Sequence, residues 1–363
     1  MVRPSLSRMS QAAVILALLP MFCGDTRAAT ADGDSGRPKI GLALSGGGAR
    51  GVAHLGVLKV LEENRIPIDF IAGTSMGALV GGLYSTGLSI DELEKLVGSI
   101  DWSEILADHI PREDRSFRRK RDDDLYLMRH RPGIRGFSLR FPPGILDGQK
   151  VDLMLKRETL DVSGIDDFDD LSIPFRAVAA DIVTGDAVVI GRGDLALALR
   201  ASMALPGIFA PRMIDGRLLV DGGISCNLPI DVVRSMGADI VIAVDISTPL
   251  QGIEELGSVI AITNQLTGFL SRRNADFQIG TLGPGDIFIL PELGDISTGS
   301  FERSMDAVPV GVRAAEKVLG RLRALSISEE EYEAYTLERT IERRRPVIDR
   351  IRIRNDSRIA DGV

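Results

Sequence analysis

Short apolar runs alternate with turns of small residues along the first half of this chain. Ile40-Gly41-Leu42-Ala43-Leu44 is unbroken by charge, which predicts a buried strand. After a glycine-rich turn, Leu55, Leu58, Val60 and Leu61 fall at helical spacing, predicting a helix that opens near Val52. A second β-rich run, Ile68-Asp69-Phe70-Ile71-Ala72, leads through Gly73-Thr74-Ser75-Met76-Gly77 into Ala78-Leu79-Val80-Gly81-Gly82-Leu83-Tyr84. The small residues of that last run predict a helix packed close on a sheet. Further on, Arg217-Leu218-Leu219-Val220 predicts a strand ending at Asp221-Gly222-Gly223.

The turns between these elements carry the candidate chemistry. Gly73-Thr74-Ser75-Met76-Gly77 has the form Gly-x-Ser-x-Gly between strand and helix, where glycines relieve a crowded turn and expose a hydroxyl. A Ser–His–acid hydrolase built on such an elbow places its histidine late in the chain. The three histidines are His54, His109 and His130, and none occurs in the long remainder. His109 and His130 sit in charged, loop-like sequence. His54 precedes the serine on the first helix, where it fits a core or helix-surface position better than a base. A carboxylate is the better base, and Asp221 stands at a strand end, where open α/β sheets place their ligand crevice. Asp-Gly-Gly by itself is equally a plain turn.

Ser45-Gly46-Gly47-Gly48-Ala49-Arg50-Gly51 joins the first strand to the first helix and presents several backbone N–H groups, an arrangement suited to an anion or a developing oxyanion. Gly46-x-Gly48-x-x-Gly51, with Asp69 downstream, also matches a dinucleotide-binding fingerprint. No Gly-Lys-Ser/Thr follows, so a phosphate-binding P-loop is excluded.

Together these motifs resemble those of the patatin-like phospholipases: Gly46-Gly47-Gly48-Ala49-Arg50-Gly51, then Gly73-Thr74-Ser75-Met76-Gly77, then Asp221-Gly222-Gly223, in that order. Ala201-Ser202-Met203-Ala204-Leu205-Pro206-Gly207 and Asn227-Leu228-Pro229 look like the same family. The resemblance runs from about Pro38 to Leu322. It implies an α/β protein, a three-layer α/β/α fold with a mostly parallel central sheet, spanning residues 38–323. It further implies Ser75 as nucleophile and Asp221 as base. The amides of Gly46, Gly47 and Gly48 would form the oxyanion hole, and Arg50 would order that loop. Gly73, Met76 and Gly77 complete the elbow. No cofactor or metal is implied. The expected reaction is hydrolysis of a phospholipid or lysophospholipid ester at a membrane surface. A lipid-binding pseudoenzyme, a dinucleotide-binding oxidoreductase and a peptidase are the competing readings. The intact serine, aspartate and glycine loop speak against the first, and the second leaves Ser75 idle. The third needs a protonated leaving group for which no histidine is placed.

Composition changes this picture little. A net charge of −8 argues against general nucleic-acid binding. Arg3 and Arg8 ahead of an apolar stretch from Ala12 to Cys23, then Ala29-Thr30-Ala31, have the form of a signal peptide over residues 1–31. Export to the periplasm, the outer membrane or the medium is therefore expected, and removal of Cys23 would leave Cys226 as the single cysteine. Arg112 to Arg121 is net basic, and Phe137 to Leu146 follows with exposed-type apolar residues; this suits either a lipid-docking lid or a loop filling a satellite core. Residues 324–345 are strongly charged and predict an exposed helix or linker. From Pro346, Val347 to Arg354 moves into strict alternation, similar to the first strand of a POTRA module over 346–363. Such modules precede an outer-membrane β-barrel in some secreted patatin-like proteins, so a longer form with a C-terminal barrel is one expectation and a surface tail the other.

Overall fold

The computed structural model describes residues 36–107, 148–247 and 259–340, with short stretches within 116–146 and 252–257. Pro38 onward forms one compact unit. Its centre is an eight-stranded sheet: β1 (Ile40–Leu44), β2 (Phe70–Thr74), β3 (Phe175–Asp181), β4 (Ala187–Ile190), β5 (Arg212–Ile214), β6 (Arg217–Asp221), β7 (Ile240–Val244) and β8 (Ile287–Ile289). The spatial order is β8-β7-β1-β2-β3-β6-β5, with β4 also on β3. From β8 to β3 every pairing is parallel, whereas β4, β5 and β6 pair antiparallel.

Successive residues of the central strands face opposite sides, and both sides are covered. Leu42, Leu44, Ile71, Ala177, Ile242 and Val244 enter one apolar cluster. Their neighbours Ala43, Ala72, Val178, Val241 and Ala243 enter a second. The first cluster is roofed by helices α1 (Ala53–Glu63), α2 (Met76–Ser85), α3 (Ile90–Ser99), α4 (Leu195–Ser202) and α7 (Val308–Glu316). The second is roofed by α5 (Ile230–Ser235) and by Ala275 of α6 (Val259–Ile279). That is the three-layer α/β/α arrangement the resemblance implied. Strands buried on both faces need apolar residues at every position, which is why β1 and β7 read as continuous runs instead of alternating ones.

Observed boundaries differ slightly from the expected ones. β2 runs on through Gly73 and Thr74, because both pair with Ala177 and Val178 of β3. α1 begins at Ala53, since Gly48–Val52 forms a tight 3₁₀ turn first. The charged segment after residue 323 contains a helix, α8 (Glu329–Glu338), opened by a Ser328/Glu331 capping box. This helix is anchored: the Tyr335 hydroxyl donates to Ile68 O at 2.8 Å and accepts from Ile68 N–H at 2.8 Å. The signal-like segment and the POTRA-like strand lie outside the described residues, as do His109, His130 and most of Arg112–Arg121. No described helix is long and apolar enough to cross a membrane.

Candidate active site

The meeting of Ser75 with Asp221 follows from an unusual strand arrangement. On β3, Ala177 and Val178 pair with both β2 and β4, while Ala179 and Ala180 pair with both β4 and β6. A strand has two edges, so β2 and β6 share one edge of β3 and meet end to end. β2 arrives running parallel to β3, with Thr74 opposite Val178. β6 arrives antiparallel, with Asp221 opposite Ala179. The carboxyl end of each strand therefore points at the other. The two residues were expected together at the carboxyl ends of strands in a crevice; they come together because one strand is reversed.

At this junction Ser75 Oγ donates to Asp221 Oδ2 at 2.6 Å. Ser75 has φ 54°, ψ −120°, a left-handed conformation that costs a non-glycine residue on the order of 1–3 kcal/mol. Surrounding contacts hold it there. Ser75 N–H donates to Ser202 Oγ at 2.9 Å, and Ser202 Oγ donates to Val178 O at 2.5 Å. Thr74 Oγ1 donates to Cys226 O at 2.8 Å. A methyl at Gly73 would run into the backbone of Gly77, and one at Gly77 into the carbonyls of Leu44 and Ser45. Only glycine permits that approach of strand, elbow and helix. Met76 is buried at the first turn of α2, whose positive end faces the serine.

Asp221 is 6% exposed. Burial is the largest influence on its carboxyl and raises the pKa to about 6, against the hydrogen bonds from Ser75 and from Gly223 N–H that pull it down. Gly223 N–H donates to Oδ1 at 2.8 Å, which leaves Oδ2 to the serine. A carboxylate of ordinary basicity would be a weak base for a hydroxyl. Enclosure of the strand junction makes Asp221 a stronger base.

The glycine loop passes over Ser75 and is tied down on several sides. Arg50 is buried, with Nε on Ile246 O at 2.9 Å, one terminal nitrogen on Ile296 O at 2.7 Å and the other on Ser247 O at 3.4 Å. Burial lowers the guanidinium pKa, and nearby Asp245 opposes that shift. Ala49 N–H donates to Thr298 O at 2.9 Å, and Gly48 takes φ 57° against the same carbonyl. Of the three amides the resemblance implied, Gly46 N–H is spent on Asn227 O at 3.3 Å. The N–H groups of Gly47 and Gly48 find no acceptor among the described residues. Gly46 N–H is thus already engaged, while those of Gly47 and Gly48 are left over beside Ser75.

His54 is fully buried on α1, and Nε2 contacts Ser45 O at 2.9 Å. Burial pulls its pKa down to about 4, so the ring is neutral and braces the start of the glycine loop instead of serving Ser75. Asp69 Oδ2 accepts Ile40 N–H at 2.6 Å, at the opposite end of the sheet from the glycine loop. It is out of place for the ribose contact that a dinucleotide fingerprint requires.

All three motifs line one cleft of about 470 Å³. Its walls include Gly46, Gly47, Gly48, Ser75 and Asp221, with the apolar side chains of Met203, Leu205, Ile208 and Phe209. Leu146, at the end of the Phe137–Leu146 stretch, also reaches the cleft, where Gly144–Leu146 pairs parallel with Gly207–Phe209. One more wall comes from α6, through residues such as Gln265, Ser271 and Arg272.

Three contributors were not assigned roles from the sequence. Ser202 and Asn227 lay inside stretches that resembled the family, yet only the structure shows Ser202 holding the elbow amide. Asn227 links the loop to the rest through its carbonyl on Gly46 N–H and through Nδ2 on Ser247 Oγ at 2.9 Å. Asn274 of α6 donates to Gly223 O at 2.9 Å and accepts Asn227 N–H at 2.7 Å; no motif marked it.

A family model for patatin-like phospholipases matches residues 42–234, just over half of the chain. The chain belongs to the patatin-like phospholipase family. An uncharacterized NTE family protein of Mycobacterium bovis is 37% identical over 213 residues, which is 59% of this chain and 50% of that protein. A protein named lysophospholipase NTE1 from Yarrowia lipolytica is 28% identical over 311 residues, covering 78% of this chain and 20% of its own. The chain thus spans about half the length of the mycobacterial relative and a fifth of the fungal one. The crystal structure of VipD from Legionella pneumophila aligns over 78% of this chain and 67% of that one, at 14% identity and a TM-score of 0.39.

Proposed function

We propose that this protein is a lipid acyl hydrolase, lysophospholipase- or phospholipase A-like, acting through a Ser75–Asp221 dyad. What supports the reading most is the 2.6 Å contact between a strained, cleft-facing serine and a buried carboxylate, beneath two unspent amides. Ser75 Oγ attacks the ester carbonyl carbon while its proton passes to Asp221 Oδ2. The carbonyl oxygen becomes an oxyanion and accepts from Gly47 and Gly48 N–H. As the intermediate collapses, the C–O bond to the leaving alcohol breaks and that alcohol takes the proton from Asp221. Water, deprotonated by the same carboxylate, then attacks the acyl-serine; the acyl–Oγ bond breaks, Ser75 Oγ takes that proton back from Asp221, and the fatty acid leaves. The apolar wall of Met203, Leu205, Ile208 and Phe209 is suited to an acyl chain. The signal-like N-terminus leads us to place this activity outside the inner membrane; amino-terminal sequencing of exported protein tests that.

The experiment that tests the activity is hydrolysis of lysophospholipid and of a soluble short-chain ester, with labelling by a fluorophosphonate. Hydrolysis by the parent and a phosphonyl adduct on Ser75, both absent in Ser75→Ala, are expected. A folded parent that cleaves no ester and takes no label would overturn the reading in favour of lipid binding without chemistry.

A further inference from the structure

Helix α6 has two working sides. Its inner side packs Ala275 and Gln278 against the sheet and lends Gln265, Ser271 and Arg272 to the cleft. Its outer side carries Ile262, Leu266, Phe269, Leu270 and Phe277, spaced by four, three, one and seven residues and so gathered on one face. All five are exposed, Phe277 by 73% and Leu266 by 57%. Exposed large apolar residues on other described helices stand singly, as do Leu153 and Leu337. Arg273 lies within the apolar face, four residues from both Phe269 and Phe277, while Arg272 on the cleft rim pairs with Asp276 of the same helix at 3.7 Å.

We infer that the outer face of α6 is a lipid-docking surface that seats the mouth of the cleft on an anionic phospholipid bilayer. The inference rests on the lipid-hydrolase reading. A protein of net charge −8 is repelled by an anionic surface, so docking needs local cations among apolar groups. The α6 face supplies both: aromatic and aliphatic side chains reach the acyl boundary, while the Arg273 head among them stays at phosphate level. Position gives the face its purpose. One helix forms the membrane contact and the wall of the cleft, so a lipid whose ester lies at headgroup depth need move only across the width of α6 to reach Ser75.

The test uses the full chain with a tryptophan reporter. In a Ser75→Ala background, Phe277→Trp is titrated with vesicles of phosphatidylcholine and phosphatidylglycerol. A blue shift of tryptophan emission, larger than that of the Ser75→Ala parent with only its buried Trp102, is expected; no added shift overturns the inference. In the active chain, the pair Leu266→Gln and Phe277→Gln is expected to slow vesicle hydrolysis by about tenfold or more while soluble-ester hydrolysis is unchanged. Leu337→Gln, on a distant helix, is expected to change neither. Equal vesicle hydrolysis by parent and pair overturns the inference, as does a pair that merely turns a dimer into a monomer and hydrolyses vesicles normally. Failure of the parent on the soluble ester would strike the hydrolase reading instead, and the emission test would still decide docking.

Discussion

The two ends of β2 are built on opposite principles. At its start, polar groups are densely paired. The Tyr335 hydroxyl accepts from Ile68 N–H and from Arg339, the latter at 2.9 Å, and donates to Ile68 O. Arg339 lies between the rings of Tyr84 and Tyr335, at 5.0 and 4.9 Å, and the Tyr84 hydroxyl donates to Glu62 at 2.8 Å. Asp69 secures the first amide of β1. At its other end, a serine is strained, a carboxylate is enclosed without a cation among its named partners, and two amides stay unspent. The first end contributes stability and the second gives some of it up. Strain and unspent backbone donors gathered at one cleft mark a place suited to chemistry.

Removing the strained end's central pair should show the contrast most strongly. Ser75→Ala and Asp221→Asn are each expected to lower ester hydrolysis by about a thousandfold or more, read as kcat/KM on a soluble ester. Their stabilities should diverge from their activities. The Asp221 carboxyl is raised from 3.8 to about 6. Below 3.8 the group is protonated in folded and unfolded chains alike and costs nothing. As pH rises to about 6 the unfolded chain ionises first, and stability is lost until the folded carboxyl ionises too. Asp221→Asn should therefore be more stable than the parent at pH 8, by on the order of 1 kcal/mol in urea unfolding. The advantage should shrink below pH 6. Activity runs the other way, because the base must be ionised: kcat/KM should fall with decreasing pH through an apparent pKa near 6. A flat profile from pH 5 to 8 would remove Asp221 from the base role.

Arg50 tests whether the glycine loop must be held from below. Its three bonds reach two separate chain segments, around Ile246 and Ile296. An ammonium cannot span both, so Arg50→Lys should not rescue. We expect about a hundredfold loss of kcat and roughly 3 kcal/mol of stability for Arg50→Met, with Arg50→Lys close behind. Ser202→Ala is milder. It frees the Ser75 amide and removes a donor from Val178 O, so kcat should drop about tenfold with KM little changed. A change confined to KM would mean that Ser202 shapes the pocket and not the elbow.

What the sequence revealed and what it hid follow the same division. Glycine loop, elbow and Asp-Gly-Gly were legible because each is a local solution to a local steric problem, and its residues are contiguous. β1 betrays itself by being free of charge along its whole length. The end-to-end meeting of β2 and β6 was not legible, because strand direction is set by pairings on β3 more than a hundred residues from Ser75. Nor was the engagement of Gly46, whose partner Asn227 lies far along the chain. The basicity of Asp221 depends on how completely the junction is enclosed, which no motif encodes. α8 was legible as a charged helix but not as an anchored one, since a few side chains, Tyr335 and Arg339 among them, do the anchoring.

Tyr335→Phe is the smallest change with a sharp outcome. It deletes one oxygen, leaves the ring that stacks on Arg339, and strips Ile68 of both a donor and an acceptor in a partly buried setting. Unpartnered backbone groups of that kind cost about 1–2 kcal/mol, so the urea midpoint should fall while the slope holds. Soluble-ester kcat/KM should remain within a factor of about two, because Ile68 and Ser75 are at opposite ends of β2 and nothing at the start of the strand touches the cleft. If the activity fell in step with stability, the two ends would be one cooperative unit, and the reserve built at the start of β2 would be what holds Ser75 in its strained turn. The expected result, stability lost and catalysis kept, requires instead that the elbow be held locally, by Ser202, Thr74 and the glycine contacts at Gly73 and Gly77.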